Sequence, residues 1–199
     1  LAGKDPEIPR QLPAEDDPGP GPPGQGLEGP FADPAAELRA LHRRVDAPEH
    51  NPDRVLVLSG DHIVRMDYRP LVAAHIQREA AVTVAVTKVP ANEAYRFGMV
   101  HVERSGRIKS IEEKPQRTDA ALANMGIYLF ETERLREMLR ARPVDVVLDI
   151  LRPQVAAGHR VYAHEFNGYW EDVGTVASYY RANLELVRPH PRLVLHDVR

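Results

Sequence analysis

The stretch VLVLSGDH, residues 55–62, decides the fold, because four apolar residues in succession are followed at once by a polar turn. An unbroken apolar run of this length predicts a strand that is covered on both faces of its sheet. A helix is predicted over residues 68–79 and a second, β-branched strand over 82–86. Strand, helix and strand in this order predict a right-handed parallel crossover, and therefore an α/β fold.

Further elements lie on both sides of this unit. A helix is predicted after Asp33, a capping residue, with Pro34 in its first turn and Leu38, Leu41 and Val45 at helical spacing. C-terminal to the crossover, periodicity and turn residues predict strands at 97–102, 108–112, 125–130 and 160–166, and helices at 132–140, 144–157 and 175–187. We therefore expect a mixed, mostly parallel sheet flanked by helices.

Composition excludes several classes of function. The 199 residues carry 26 basic and 29 acidic side chains, so the formal charge of −3 leaves no global basic field for nucleic acid. Cysteine is absent from the sequence, which rules out disulfides, thiolate zinc sites and cysteine nucleophiles. No apolar run approaches the roughly 20 residues of a membrane span, and the first residues do not form a signal peptide pattern. We expect a soluble, cytoplasmic protein without nucleic-acid or membrane partners.

The composition also divides the chain into segments. Residues 1–30 hold eight of the 18 prolines and six of the 13 glycines. Such a segment buries little apolar surface and loses backbone donors, so we expect a disordered tail over residues 1–32. Residues 33–190 are expected to form the folded domain. A strand that begins at Pro191 would start a further C-terminal extension over residues 191–199.

The first candidate site is the polar turn itself. Ligands of open α/β sheets bind beyond the carboxyl ends of strands, where Ser59, Gly60, Asp61 and His62 are expected. Gly60 allows a ligand to approach the backbone, and Asp61 could hold a divalent cation whose other ligands are phosphate oxygens and water. Alternatively, Asp61 only closes a turn. For His62, an orienting or packing role is favoured over metal binding.

The second candidate site is the charged pair Glu113 and Lys114. It follows an alternating strand and stands before Pro115, which ends that strand. A lysine ammonium suits a phosphate monoester, and a carboxylate suits sugar hydroxyls. A solvated charged turn would explain the same residues.

The third candidate site is YWEDVGT, residues 169–175. Asp172 stands just before a predicted helix, where a negative charge is favourable. One interpretation is a helix cap with Trp170 as a hydrophobic staple. The other is that Asp172 supplies a second carboxylate to the cation held by Asp61.

These motifs, taken in order with FG at 97–98 and NMGIY at 124–128, resemble the sugar-phosphate nucleotidyltransferase family over about residues 53–199. The resemblance implies a partial Rossmann-like nucleotidyltransferase domain and a Mg²⁺-dependent reaction. The pattern GDHxxxMDY, residues 60–68, is most similar to the branch that transfers AMP from ATP to glucose 1-phosphate in glycogen and starch synthesis. The resemblance thus implies ATP and glucose 1-phosphate as substrates, ADP-glucose and pyrophosphate as products, and a homo-oligomeric full-length form.

The resemblance also implies roles for individual residues. Asp61 and Asp172 match the two metal-binding, catalytic aspartates of the family. The substrate-binding residues that it implies are those of the sugar-phosphate pocket: Gly98, Glu113, Lys114, Asn124 and Trp170. In the family, the metal neutralises charge on the phosphate and orients both substrates.

The sequence departs from the family in its first part. The family's glycine-rich loop with arginine, which wraps the nucleoside triphosphate, is not found in residues 1–53. We therefore expect this chain on its own to make no measurable ADP-glucose. The alternatives are a nucleotidyltransferase for another sugar phosphate or base, and a non-catalytic truncated or regulatory homologue.

Overall fold

The computed structural model describes residues 33–47 and 51–193. The strands are β1 (Arg54–Leu58), β2 (His62–Val64), β3 (Val82–Lys88), β4 (Gly98–Val102), β5 (Ile108–Glu113), β6 (Leu122–Glu131), β7 (Val161–Glu165) and β8 (Trp170–Asp172). The helices are α1 (Pro34–Val45), α2 (Arg69–Gln77), α3 (Thr132–Arg140), α4 (Arg152–Ala156) and α5 (Val176–Leu186), with a 3₁₀ helix at Ala91–Arg96 and a π-helical turn at Val146–Leu151.

The main sheet is built around β6. Its strands lie in the order β5-β4-β6-β3-β7, and β1 also pairs with β6. Strand β3 occupies one edge of β6 between Leu122 and Phe130. On the other edge, β4 pairs with the start of β6 and β1 with its last residues. Strands β2 and β8 form a separate two-stranded sheet.

The expectation of a mostly parallel sheet is wrong. Strands β3 and β7 pair in parallel, whereas β6 runs antiparallel to β1, β3 and β4, and β4 runs antiparallel to β5. The crossover from β1 to β3 leaves those two strands parallel to each other, because both are antiparallel to β6. The reason for the error is that β6, from much later in the chain, lies between them. The α/β class, with a mixed sheet flanked by helices, is confirmed.

Helices cover both faces of the sheet. One buried cluster joins alternate residues of the central strands to α1 and α3: Val82, Val84, Val86, Tyr128, Phe130, Leu38, Val45, Leu135 and Leu139. The other joins the intervening residues to α2: Ala85, Met125, Ile127, Leu129 and Leu71. Because successive side chains of a strand point to opposite faces, β3 and β6 are buried on both.

Strand β1 is less buried than its apolar sequence predicts. Residues 54–57 are only partly buried, and Leu58 is 48% exposed. Within the described residues, β1 pairs with β6 alone, so one of its edges has no neighbouring strand.

Two helix starts follow from local chemistry. Asp33 accepts a hydrogen bond from the Ala35 amide at 3.0 Å and Pro34 opens α1, as predicted. At α5, Thr175 Oγ1 accepts from the Ser178 amide at 3.1 Å, so Thr175 is the cap. The predicted helix over 144–157 is divided into the π-helical turn and α4. Pro153, in the first turn of α4, has no amide hydrogen to continue a regular ladder.

Some predictions fall outside the described residues. These are the tail over residues 1–32 and most of the strand expected from Pro191, of which residues 191–193 are described and form no strand. Among the helices that the structure describes, none is long and apolar enough to cross a membrane.

Candidate active site

The two-stranded sheet brings the first and third motifs together. Its register pairs His62 with Asp172, and the Val173 amide donates to the Asp61 carbonyl at 3.0 Å. As a result, the potential ligand atoms of Asp61, His62 and Asp172 all lie within 4.8 Å of one another. Residues from opposite ends of the domain sequence therefore form one cluster, which we call the carboxylate cluster.

Hydrogen bonds orient both carboxylates of this cluster. The Ser59 hydroxyl donates to Asp61 Oδ1 at 2.5 Å, and the Gly174 amide donates to Asp172 Oδ1 at 2.9 Å. A Cβ atom on Gly174 would lie 3.0 Å from Asp172 Oδ1 and 3.8 Å from Asp61 Oδ2. The absence of a side chain at Gly174 thus keeps open the space that the two carboxylates face. Asp172 does not cap α5, so the interpretation of this residue as a helix cap is wrong.

His62 packs within the cluster. Its ring meets the Trp170 ring edge to face, with centroids 5.3 Å apart, and its Nε2 lies 3.5 Å from Asp61 Oδ1. Two buried nitrogens, His62 Nδ1 and Trp170 Nε1, have no hydrogen-bond partner in the described part of the chain. The structure therefore gives His62 the packing role that the sequence favours, and also places it at the carboxylates.

Strand pairing creates a second cluster from Gly98, Glu113 and Asn124, which we call the glutamate cluster. Gly98 is paired with Glu113 across β4 and β5. A Cβ atom on Gly98 would lie 3.0 Å from Glu113 Oε2 and 3.7 Å from Asn124 Cβ. Three residues that the sequence resemblance assigns to the sugar-phosphate pocket are therefore neighbours in space.

The Asn124 amide is held in one orientation. Its Nδ2 donates to the Tyr128 hydroxyl at 2.9 Å, and its Oδ1 accepts from the Gly126 amide at 3.0 Å. Burial raises the pKa of the Tyr128 phenol, so this hydroxyl stays protonated at neutral pH. One amide hydrogen and one oxygen lone pair of Asn124 are left for a ligand.

Glu113 and Lys114 differ in their surroundings. Burial raises the pKa of Glu113, and nearby Asp145 raises it further, while Lys114 and Arg152 act in the opposite direction. Lys114 is exposed, has a left-handed backbone with φ of 45°, and donates its amide to the Phe97 carbonyl at 3.1 Å. Such backbone strain in a non-glycine residue is concentrated at functional sites.

Trp170 connects the two clusters. On one side it contacts His62, and on the other it contacts Phe97, with ring centroids again 5.3 Å apart. Phe97 directly precedes Gly98 in the chain. The carboxylate cluster and the glutamate cluster therefore lie on either side of the Trp170 ring.

The donors of the carboxylate cluster fit a hard divalent cation. Two carboxylates facing a common space are typical ligands of Mg²⁺, which keeps its remaining positions for water and phosphate oxygens. Gly174 leaves room for such an ion. Asp61 and Asp172 are the residues that would hold it.

The roles of several residues in the site are not predicted from the sequence. Ser59 orients Asp61, Tyr128 orients Asn124, and Gly174 leaves the cation space open. Gly126, with φ of +67°, has no room for a side chain, since a Cβ atom would lie 2.8 Å from His62 Cε1. Gly126 and Tyr128 lie in NMGIY and Gly174 in YWEDVGT, so these motifs were the available signal.

Comparison with known protein families identifies the same family that the sequence motifs resemble. The model of the nucleotidyl transferase family matches residues 32–188, which is most of the chain. The matched region contains both clusters.

Proposed function

Because this chain belongs to the nucleotidyl transferase family, we propose that its domain transfers AMP from ATP to glucose 1-phosphate, giving ADP-glucose and pyrophosphate. The resemblance seen in the motifs is confirmed at the level of the family, whose substrates are a nucleoside triphosphate and a sugar phosphate. The observation that carries the proposal is the convergence of Asp61 and Asp172 beside the cluster of Gly98, Glu113 and Asn124.

The reaction needs positioning and charge stabilisation more than proton transfer. A phosphate oxygen of the sugar phosphate forms a bond to the α-phosphorus of ATP, and the bond to the pyrophosphate oxygen breaks. We assign Asp61 and Asp172 to a Mg²⁺ ion, which when bound neutralises phosphate charge. The hydrogen bonds from Ser59 and Gly174 fix the direction of these carboxylates before substrates bind.

We assign the sugar phosphate to the glutamate cluster. The Glu113 carboxylate accepts hydrogen bonds from sugar hydroxyls, and Asn124 offers its free amide hydrogen. The exposed Lys114 ammonium provides a point charge for the phosphate. Gly98 leaves the space beside Glu113, and Trp170 forms the wall toward the carboxylates.

We assign the nucleotide to a neighbouring cavity of about 390 Å³. It lies between α1, β1 and the segment after Pro143, and reaches Ser59, Gly126 and Tyr128. Its lining combines apolar side chains with two carboxylates, Glu37 and Asp145, which can accept hydrogen bonds from ribose hydroxyls. This cavity adjoins the carboxylate cluster through Ser59, so a triphosphate could extend from it toward Asp61.

The choice of adenine and glucose rests on the sequence pattern at residues 60–68. Part of this pattern has a structural role, since Asp67 accepts hydrogen bonds from the amide and guanidinium of Arg69 where α2 begins. The Arg69 side chain lowers the pKa of Asp67 to about 2. Met66 and Tyr68 pack against the buried cluster that contains Leu71, and only Asp61 and His62 of the pattern belong to the carboxylate cluster.

The test measures cation binding and product identity together. We expect Asp172→Asn to weaken Mn²⁺ binding, because the ion loses one of its two proposed carboxylate ligands. Glu171→Gln is the matched control, because Glu171 lies on the same strand but faces Arg181 at 3.7 Å. Equal Mn²⁺ affinity in the two variants would contradict the metal assignment.

Mass spectrometry of the product decides the substrates. The chain is incubated with glucose 1-phosphate and ATP, GTP or dTTP, and also with ATP and mannose 1-phosphate. Preferential formation of ADP-glucose supports the proposal and contradicts the expectation that the chain on its own makes none. Preference for another base or sugar would assign the site to a different nucleotidyl transfer. Binding of glucose 1-phosphate without turnover agrees with the glycine-rich loop missing from residues 1–53 and favours a non-catalytic form of the chain.

A further inference from the structure

His62 is largely enclosed at the carboxylate cluster. Its side chain is 11% exposed, against 57% for Asp61. The ring meets Trp170 edge to face, and its Cε1 leaves no room for a Cβ atom on Gly126, which would lie 2.8 Å away. Contacts on these two sides hold the ring in one orientation. In this orientation, Nε2 lies 3.5 Å from Asp61 Oδ1.

The ring hydrogen of His62 can be assigned from its surroundings. The other ring nitrogen, Nδ1, is buried and has no hydrogen-bond partner within residues 33–47 and 51–193. A neutral imidazole carries one N–H and one lone pair. A hydrogen on Nδ1 would leave a buried donor without an acceptor, and would turn the lone pair of Nε2 toward the negative oxygen of Asp61. We therefore assign the hydrogen to Nε2, which also carries one when the ring is positively charged.

The same surroundings argue against His62 as a ligand of the cation. A metal-binding histidine ligates through a lone pair and donates its other N–H to a carboxylate, a carbonyl or water. Ligation through Nε2 would move the hydrogen to Nδ1, for which the described chain offers no acceptor. The ligands that the cluster offers are therefore two carboxylates, a hard oxygen set that suits Mg²⁺.

The two oxygens of Asp61 have different surroundings. Oδ1 accepts the Ser59 hydroxyl at 2.5 Å and also faces His62 Nε2. Oδ2 lies toward the space that Gly174 keeps open, 3.8 Å from the position of a Cβ atom at that residue. Two donors thus share Oδ1, while Oδ2 faces the space of the proposed ion.

From this division we propose that His62 is a positioning residue of the cation site: with Ser59 it occupies Oδ1 of Asp61, so that Asp61 binds the ion through Oδ2 alone. The inference rests on the proposed function, since it concerns the cation assigned there to Asp61 and Asp172. Mg²⁺ demands near-ideal octahedral geometry and keeps several positions for water and substrate phosphates. An aspartate that binds through a single oxygen takes up one position, whereas one that binds through both takes up two. His62 therefore preserves a position for a phosphate oxygen or water.

The experiment is a Mn²⁺ titration of the full chain, followed by electron paramagnetic resonance. His62→Leu removes the N–H, and His62→Gln replaces it with an amide N–H. Both variants lose the ring contact with Trp170, so the difference between them reports the hydrogen bond to Asp61. We expect His62→Leu to raise the Kd of Mn²⁺ about tenfold, and His62→Gln to raise it less than about threefold. Equal weakening by both variants, or by neither, would overturn the proposal.

One measurement does not depend on whether these variants fold. Pulsed electron paramagnetic resonance of Mn²⁺ bound to the unaltered chain should show no directly coordinated nitrogen. A strong nitrogen hyperfine coupling would make His62 a ligand of the ion and would overturn the proposal.

Control variants separate this inference from the metal assignment. His164→Leu replaces a half-buried histidine on β7, outside the cluster, and should leave Mn²⁺ affinity unchanged. Weakening by His164→Leu would mean that the loss of a histidine acts through the fold in general, against the proposal. If Asp172→Asn weakens Mn²⁺ binding and His62→Leu does not, the cation site stands and the role of His62 fails. If Asp172→Asn also leaves binding unchanged, the metal assignment fails and the role of His62 fails with it.

Discussion

The Glu113 carboxylate lies against Gly98: its Oε2 is 3.0 Å from the position that a Cβ atom would take at residue 98. The contact follows from register, because the two residues are paired across β4 and β5. Glycine at this position therefore lets a partly buried carboxylate remain beside Asn124. The relationship makes residue 98 a determinant of the sugar-phosphate pocket that we propose.

Gly98→Ala should displace the Glu113 carboxylate. The contacting atom is the far end of a side chain, so the chain can accommodate the methyl group and should lose less than about 1 kcal/mol of unfolding free energy. Glucose 1-phosphate affinity, measured by calorimetry, should fall about tenfold as one charged hydrogen-bond partner moves away. Unchanged affinity would show that Glu113 does not bind the sugar in this position.

Glu113→Gln should weaken ligand binding and yet stabilise the fold. Burial raises the pKa of Glu113 above its usual 4.5, so the charged form costs stability as the pH rises through the raised pKa. The variant removes that cost, and its stability at neutral pH should rise by less than about 1 kcal/mol once solvent screening is allowed for. Chemical denaturation at pH 4 and pH 7 measures the difference, which should appear only at the higher pH.

Glu112→Gln is the matched control for this prediction. Glu112 is the preceding residue on β5 and pairs with His101 at 2.9 Å. Its replacement should not stabilise the protein at neutral pH, nor reduce glucose 1-phosphate affinity. If both variants behave alike, the effect of Glu113 is not specific to its buried position.

Local elements of the fold could be predicted from the sequence because their signals are local. The start of α1 at Asp33 and Pro34 follows from the chemistry of two adjacent residues. The direction of β1 relative to its neighbour could not be predicted in this way. It depends on β6, which begins at Leu122, far along the chain. The mostly parallel sheet was therefore expected from the nearest crossover, and long-range pairing gave a different result.

The candidate site likewise has features that the sequence predicts and features that depend on long-range pairing. The residue types at Asp61 and Asp172 suggest a cation ligand, but their proximity depends on the pairing of β2 with β8. Each of these strands has three residues, which are too few to show a period of two. The requirement for glycine at position 126 likewise cannot be predicted from the sequence, because it arises from contact with the His62 ring, 64 positions earlier in the chain.

His75 should make stability depend on pH on the acid side of neutrality. This histidine is fully buried: its Nδ1 lies 2.8 Å from Thr83 Oγ1 and its Nε2 lies 3.0 Å from Glu131 Oε1. Burial lowers its pKa below the usual 6.5, against the opposing effect of Glu131. The unfolded chain then takes up a proton first, so stability present above pH 6.5 is lost as the pH falls toward the lowered pKa.

His75→Gln removes this titrating group and should flatten the dependence of the unfolding free energy on pH below 6.5. The comparison uses the slope of the unfolding free energy against pH, because the variant also changes packing and therefore the absolute stability. His190→Gln is the control, since His190 is exposed. A slope that His75→Gln leaves unchanged would show that His75 takes up its proton equally in both states.

Gly126→Ala and Gly158→Ala form a pair that separates backbone strain from a steric clash. Both glycines have positive φ, +67° and +74°, so alanine at either position should cost about 1–2 kcal/mol of unfolding free energy from strain alone. A Cβ atom on Gly158 meets nothing within 4 Å, whereas one on Gly126 would lie 2.8 Å from His62 Cε1 and 3.1 Å from Ser59 Cβ. Gly126→Ala should therefore cost a further 1–3 kcal/mol or so, measured by urea denaturation.

Gly126→Ala should also weaken Mn²⁺ binding, because Ser59 and His62 both contact Asp61, whereas Gly158→Ala should leave Mn²⁺ binding unchanged. Equal losses of stability in the two variants would mean that the His62 ring moves aside freely, and that Gly126 is required for its backbone conformation alone.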